Sequence, residues 1–460
     1  MEPVSLLIVI NSRSMNSVRP NRQNGIRHFS LPGPSLGIPA VSSRIHPLKS
    51  AARRGCRSGT LRARETTRVS DWLNQSSRRS VWTREKAALF GPGLTLGNSR
   101  KLREVVEPGE AKILDIEIIL DPNLTPEQFA ECAVVAEKGG VRTLWHGNMH
   151  STWDAFVALV PAAMATSKIR LGVLALSPYE MHPLKIANAI LSLNEIAKGR
   201  AIVAIGGGGA VMSATNKEGV HLNFRKMRIV RGVREAVEIV KAAGAGDLVK
   251  GYDGELFSIT MPSRRDWVKS EPPKVYTCSD GPQMTRMGAR VADGMQFGDL
   301  TIHRAAEVMD NIHTGWAKRD QPADDFRIGN YWAWHIKQDR EQSMYEARRK
   351  LVWRTQMVPP FHGLDLLLDA EQTQLVKDNF ENFAKAYYTN SDEIDGVSNE
   401  LVEYLIGAVS SAGDFSDIDR ELERYRELEK AGFTDLALKI FDEPMDSLKM
   451  ICERVVPNLA

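Results

Sequence analysis

Two nearly unbroken apolar runs, at 169–175 and 201–205, constrain this chain more than any other feature. Apolar at nearly every position, they predict strands buried on both faces, as in a parallel sheet. Between them lie a loop with Pro178 and the pair His182-Pro183, then a helical stretch with Leu184, Ala187, Ile190 and Leu191. Gly199 follows, where a left-handed C-cap is expected. The segment 169–209 is therefore one βαβ unit. Such crossovers are right-handed, and sites form beyond the carboxyl ends of their strands. Four glycines, Gly206 to Gly209, stand at that end of the second strand.

The same alternation continues on both sides. Strands are predicted over 113–120, 141–146, 273–278, 294–298, 326–336 and 433–441. Helices are predicted behind Thr125-Pro126 and over 153–166, 226–243, 303–317 and 443–455. Residues 251–259 read as a hairpin with Asp253-Gly254 at its turn. A mostly helical stretch, about 354–430, is longer than one crossover needs and reads as an insertion. Eight strand–helix pairs over 112–460 predict an α/β fold, a (β/α)8 TIM barrel with a helical insertion. The strand count disfavours the alternative, a doubly wound sheet.

Residues 1–104 carry 19 Lys and Arg against 5 Asp and Glu, a net charge of +14, which leaves the rest of the chain at −11. Rich in Arg, Ser, Pro and Gly, this extension buries too little apolar surface to offset its ordering entropy and is expected to be disordered. It reads as a targeting leader, a nucleic-acid-binding arm, or a segment upstream of a mis-assigned start. Few aromatic residues and no motif support the nucleic-acid reading, so no nucleic-acid partner is expected. Cys56, Cys132, Cys278 and Cys452 are far apart, without a C-x-x-C, which argues against a disulfide framework or zinc site and fits a reducing, cytoplasmic setting. No apolar run reaches the length of a membrane span.

The glycine run lacks the third glycine of a dinucleotide fingerprint, since position 211 is Val211, and no helix is expected directly after it. The run instead suits a ring system lying against bare backbone. Ser279-Asp280-Gly281-Pro282-Gln283, between a strand and a helix, offers backbone N–H groups as an anion site. His146, Asn148 and His150 follow the second strand. Metal ligation at a spacing of four needs a helix, so no metal is expected. His150 or His146 could instead serve as an acid or base. Glu117 and His335 read as buried, paired structural groups.

These segments together resemble the bacterial luciferase-like superfamily of flavin-dependent monooxygenases and deazaflavin-dependent reductases and dehydrogenases. The matching residues are RLG (170–172), SPY (177–179), HP (182–183), LNEIAKGR (193–200), AIGGG (204–208), YDGELF (252–257), SDGP (279–282) and VADG (291–294). The resemblance implies a barrel with its cofactor at the C-terminal mouth, and a cis peptide at Leu174-Ala175 on which the cofactor ring rests. It also implies a glycine wall at Gly206, Gly207 and Gly208, and a phosphate cup at Ser279, Gly281, Pro282 and Gln283. The sugar-phosphate dehydrogenase branch has Asp-His where this chain has Asn148-Met149, and an acid where it has Gly209. The reductase branch is the better match. It implies hydride transfer between coenzyme F420 and a small organic substrate, within a homodimer. An FMN-dependent monooxygenase and a non-catalytic flavin-binding barrel are the alternatives.

Overall fold

The computed structural model describes residues 114–215, 226–278, 281–358 and 361–459. The basic segment 1–104 and the expected cup residue Ser279 lie outside them. Eight parallel strands close into a barrel: β1 (Asp115–Leu120), β2 (Thr143–Gly147), β3 (Arg170–Leu176), β4 (Ala201–Gly206), β7 (Lys274–Cys278), β8 (Gly294–Gly298), β9 (Arg327–Trp334) and β11 (Asp435–Ile440). Each pairs in parallel with the next, and β11 pairs with β1 to close the ring. β5 (Tyr252–Asp253) and β6 (Ser258–Ile259) form the expected hairpin. The two-residue β10 (Ser410–Ser411) pairs with the end of β9.

Around the barrel stand α1 (Pro126–Lys138), α2 (Ala155–Ala165), α3 (Pro183–Ile196), α5 (Ile229–Ala245), α6 (Pro282–Val291), α7 (Ile302–Trp316), α12 (Ile418–Lys430) and α13 (Pro444–Met450). Local chemistry explains their starts. At α1 the Thr125 side chain accepts from the Gln128 N–H, and the Gln128 side chain accepts from the Thr125 N–H. At α3, His182 Nδ1 accepts from the Leu184 N–H at 3.2 Å and Pro183 opens the first turn. That helix ends three residues short of Gly199. The turn beyond it holds Lys198 and Gly199 at positive φ, and the Gly199 N–H reaches back to the Asn194 carbonyl at 2.9 Å. One expectation fails: a short helix, α4 (Gly209–Thr215), opens directly after the glycines. Its weak formers Gly209 and Ser213 gave no periodic signal. The dinucleotide fingerprint is still excluded, by Val211 and by the closed barrel.

The barrel interior is filled by Ile119, Trp145, Ile202, Ala204, Tyr276 and Ala437, all buried. A Cβ at Gly172 would overlap the Trp145 ring, so the indole has room only because β3 carries a glycine there. Towards the amino ends of the strands the interior turns ionic. Glu117, fully buried, accepts from Trp145 Nε1 at 2.7 Å and Gln296 Nε2 at 2.8 Å and pairs with Arg142. Arg327 pairs with Asp115 and Asp435 beside it.

The helical stretch expected over 354–430 divides in two. α8 (Arg340–Lys350), α9 (Ala370–Asp378), α10 (Phe380–Thr389) and α11 (Asn399–Val409) gather a separate apolar core of residues 347–412, among them Met357, Val376, Phe383 and Leu405. α12 instead packs Ile418, Leu422, Tyr425 and Leu428 on the barrel core. The lobe is fastened to the mouth by Arg354, buried, which donates to Asp299 Oδ1 at 2.8 Å and to Tyr331 Oη at 3.0 Å. Among the described residues no helix is long and apolar enough to cross a membrane.

Candidate functional site

A cavity of about 1140 Å³ begins at the carboxyl ends of β3, β4 and β7 and runs outward between α5 and α6 to the end of α7. This exceeds the usual range of small-molecule pockets and suits a long ligand. Leu174, Ala175, Gly206, Gly207, Gly208 and Gln283 line it, so six of the residues predicted for cofactor binding are brought together. The Leu174–Ala175 peptide is cis. Asn148 holds its carbonyl and the one that follows: the N–H donates to Leu174 O at 2.9 Å and the side-chain amide to Ala175 O at 3.3 Å. Glu180 fixes that amide, accepting from Asn148 Nδ2 and from the Ser177 N–H, each at 2.8 Å. Burial pushes the Glu180 carboxyl up, against those two donors. Its second oxygen is buried without a hydrogen-bond partner among the described residues.

Gly208 has a φ of +77°, and a Cβ there would run into the Ser177 side chain. Gly281 precedes α6 with no capping side chain among the described residues and with Pro282 at the first turn, so the exposed end offers backbone N–H groups. A Cβ at Gly281 would meet nothing within 4 Å.

Electrostatics distinguish this cavity. Among its described lining residues six are cationic, Arg228, Arg231, Arg234, Arg286, Arg290 and Lys318, and none is acidic. Two of them are braced from outside by the hairpin: Glu255 pairs with Arg228 and Arg231. The hairpin turn is itself held by buried Glu235, which accepts from the N–H groups of Glu255, Leu256 and Phe257 at 3.0, 2.9 and 3.0 Å. The YDGELF motif thus positions a rim of arginines.

The predicted histidines fare differently. Trp145 points into the barrel, so by strand alternation His146 points outward. It is buried against Phe129 of α1, ring centroids 5.2 Å apart, with Nδ1 2.8 Å from its neighbour's carbonyl, Gly147 O. His146 therefore lies behind the strand, away from the cavity, which corrects its reading as an acid or base. His150 sits exposed on the loop, which contributes Asn148 and Met149 to the lining. His335 is buried, with Nδ1 2.7 Å from Glu346 Oε1, and Glu117 is paired, as expected of structural groups. Asn148, Glu180 and the rim arginines Arg231, Arg234, Arg286 and Arg290 were missed. The rim's signal was the three-residue spacing of Arg228, Arg231 and Arg234, which resembles an ordinary solvated helix face. Among the described residues no three His, Cys, Asp or Glu side chains converge as a metal site.

Burial lowers the pKa of both His146 and His335, at His335 against the pull of Glu346. The unfolded chain takes up these protons as pH falls through about 6.5, the ordinary histidine value, and the folded chain only below that. The unfolded state then binds more protons, and stability falls as pH falls. Urea denaturation between pH 7.5 and 5.5 should show this loss, at most about 1.4 kcal/mol per pH unit for each histidine. His146→Asn should flatten it in part. A profile that is level, or that rises on acidification, contradicts the assignment.

A glycine wall without side chains and a cationic groove thus line one cavity at the mouth of a parallel barrel. The luciferase-like monooxygenase family model matches residues 115–435, and the chain belongs to that family. It is 28% identical over 331 residues to the 5,10-methylenetetrahydromethanopterin reductase of Archaeoglobus fulgidus, covering 71% of this chain and 93% of that one. To an F420-dependent glucose-6-phosphate dehydrogenase of Kineococcus radiotolerans it is 31% identical over 180 residues, 37% of this chain and 51% of the relative. The solved coenzyme F420 dependent tetrahydromethanopterin reductase from Methanopyrus kandleri superposes with a TM-score of 0.62 at 22% identity, covering 76% of this chain and all of that one. An F420-dependent secondary alcohol dehydrogenase superposes at 0.57 with 14% identity, covering 76% and 99%. Likeness at these identities establishes the shared barrel.

Proposed function

We propose that the chain is an oxidoreductase passing hydride between coenzyme F420 and a small organic molecule at the barrel mouth. The observation that carries this reading is the cavity's charge: six cations and no acid among its described lining residues, on a body whose net charge is −11. F420 bears a phosphate and an oligoglutamate tail, so it is longer and more anionic than FMN. When bound, it supplies the hydride chemistry, and the protein supplies position and field.

The residues present fit such a group. Gly206, Gly207 and Gly208 leave one wall without side chains. Asn148 and Glu180 hold the Leu174–Ala175 backbone in place beneath it. The uncapped start of α6 and the arginines of α5 face anionic groups. The reading is also supported by relatives whose names carry F420-dependent reduction or dehydrogenation. An FMN-dependent monooxygenase would use the same start of α6, but its single phosphate would not extend along the cations that line the rest of the groove.

Fluorescence titration of the purified protein with F420 and with FMN tests this. F420 should bind at least tenfold more tightly, a difference of about 1.4 kcal/mol. The margin should narrow at high salt, because the cations act on exposed charges. Equal affinities, or a preference for FMN, would sink the F420 reading.

A further inference from the structure

The opposite side of the mouth holds cations that the cofactor groove does not account for. Ala437 of β11 points into the barrel, so Lys439, two residues on, points the same way one layer nearer the mouth. Its neighbours in register are Ile119 and Ala333. Lys439 Nζ lies 5.9 Å from the Tyr331 ring centroid and 5.2 Å from that of Phe441. Tyr331 packs on the same interior cluster as Leu174, Ala175 and Cys278, which line the cofactor cavity. Lys350, in the last turn of α8, brings its Nζ to 5.5 Å from the same Phe441 ring. Two half-buried ammonium groups, one from the barrel and one from the lobe, thus converge on one aromatic face.

Among the described residues no carboxylate lies within ion-pair distance of Lys439 or Lys350. Lys439 acts on the Asp299 carboxyl, whose oxygens already accept from Arg354 Nη1 at 2.8 Å and the Thr355 N–H at 3.2 Å. Burial lowers the pKa of Lys350, and the more distant carboxylates Asp442, Asp121 and Glu346 offset this only in part. A partly desolvated cation without an anionic partner is costly, and aromatic faces offset only part of that cost. We propose that Lys439, with Lys350, binds an anionic group of the substrate, so that the hydride partner is an organic acid or phosphate ester held against Tyr331 and Phe441. This rests on the mouth being the reaction site, as argued above.

The test measures anion binding separately from cofactor binding. Benzoate, its neutral analogue benzamide and inorganic phosphate are titrated into the full chain by saturation-transfer NMR or calorimetry, without cofactor. Lys439→Met, Lys439→Arg and Lys350→Met are examined alongside, and each variant is also titrated with F420. Benzoate should bind at least tenfold more tightly than benzamide. Lys439→Met should abolish that preference, Lys439→Arg should keep it, and F420 affinity should not change. Phosphate outcompeting benzoate with the same dependence on Lys439 would assign the site to phosphate esters. Absence of anion binding, or binding indifferent to Lys439→Met and Lys350→Met, overturns the proposal. Should Lys439→Met unfold the chain, the Lys350→Met and Lys439→Arg pair still decides it. Failure to bind F420 with anion binding intact would sink the cofactor reading and leave the anion site standing.

Discussion

Arg142→Met should lower the unfolding free energy by about 3 kcal/mol, the scale of stranding a buried charge. Arg142 pairs with Glu117 and lies 3.5 Å from Asp435 and 3.7 Å from Asp115. Glu117 and Asp435 are both fully buried. Burial already pushes the Glu117 carboxyl up, Asp435 adds to that, and Arg142 opposes both. Without the guanidinium, Asp435 keeps Arg327, but Glu117 is left with only the neutral donors Trp145, Gln296 and Thr143. Glu117→Gln should cost less, because Arg142 keeps the two aspartates and Trp145 still has an oxygen to meet. Denaturant titrations of both variants decide the matter. A cost for Arg142→Met under 1 kcal/mol, or a greater cost for Glu117→Gln, would show that the ion cluster does not hold the base of the barrel together.

Gly281→Asp should weaken F420 binding by tenfold or more while leaving the denaturation midpoint where it was. The backbone at Gly281 has φ −75° and ψ 143°, open to any residue, and an added Cβ meets nothing within 4 Å. The substitution therefore adds charge without strain. A carboxylate beside a bound phosphate costs on the order of 1–4 kcal/mol, depending on local dielectric. Gly281→Asn provides the neutral control. If both variants bind F420 as the parent does, the phosphate is held elsewhere. If both lose binding equally, bulk rather than charge is responsible.

The barrel was legible because parallel strands buried on both faces write themselves as continuous apolar runs, and several were followed by a helix with a recognisable start, as at Thr125-Pro126. The glycine wall could be read from four consecutive glycines at a strand end, but the Leu174–Ala175 peptide was legible only through resemblance. Nothing in a run such as VLALS announces a backbone isomer. His146 was misplaced because it was read as a strand-end histidine, without asking which face it took. Gly172 on the next strand makes room for the Trp145 ring inside the barrel, and that turns its neighbour outward. Lys439 was passed over in the same way. A single lysine within DLALKIF looks like a flaw in an apolar strand, until Ala437 fixes which way it points. The arginine rim was hidden because side chains from two helices and a loop meet only when the fold closes.

The lobe over residues 347–412 has its own apolar centre, and the barrel closes without it. Changes in one core should therefore add to changes in the other rather than compound them, as they do for groups without shared partners. Descendants of such a chain could exchange what the lobe presents to the mouth without disturbing the glycine wall or the cationic groove. Reaction chemistry and choice of client would then be inherited as separate traits. Arg354 with Asp299 is a joint between them, and a lineage that lost it would have to refit the lobe before acquiring a new client.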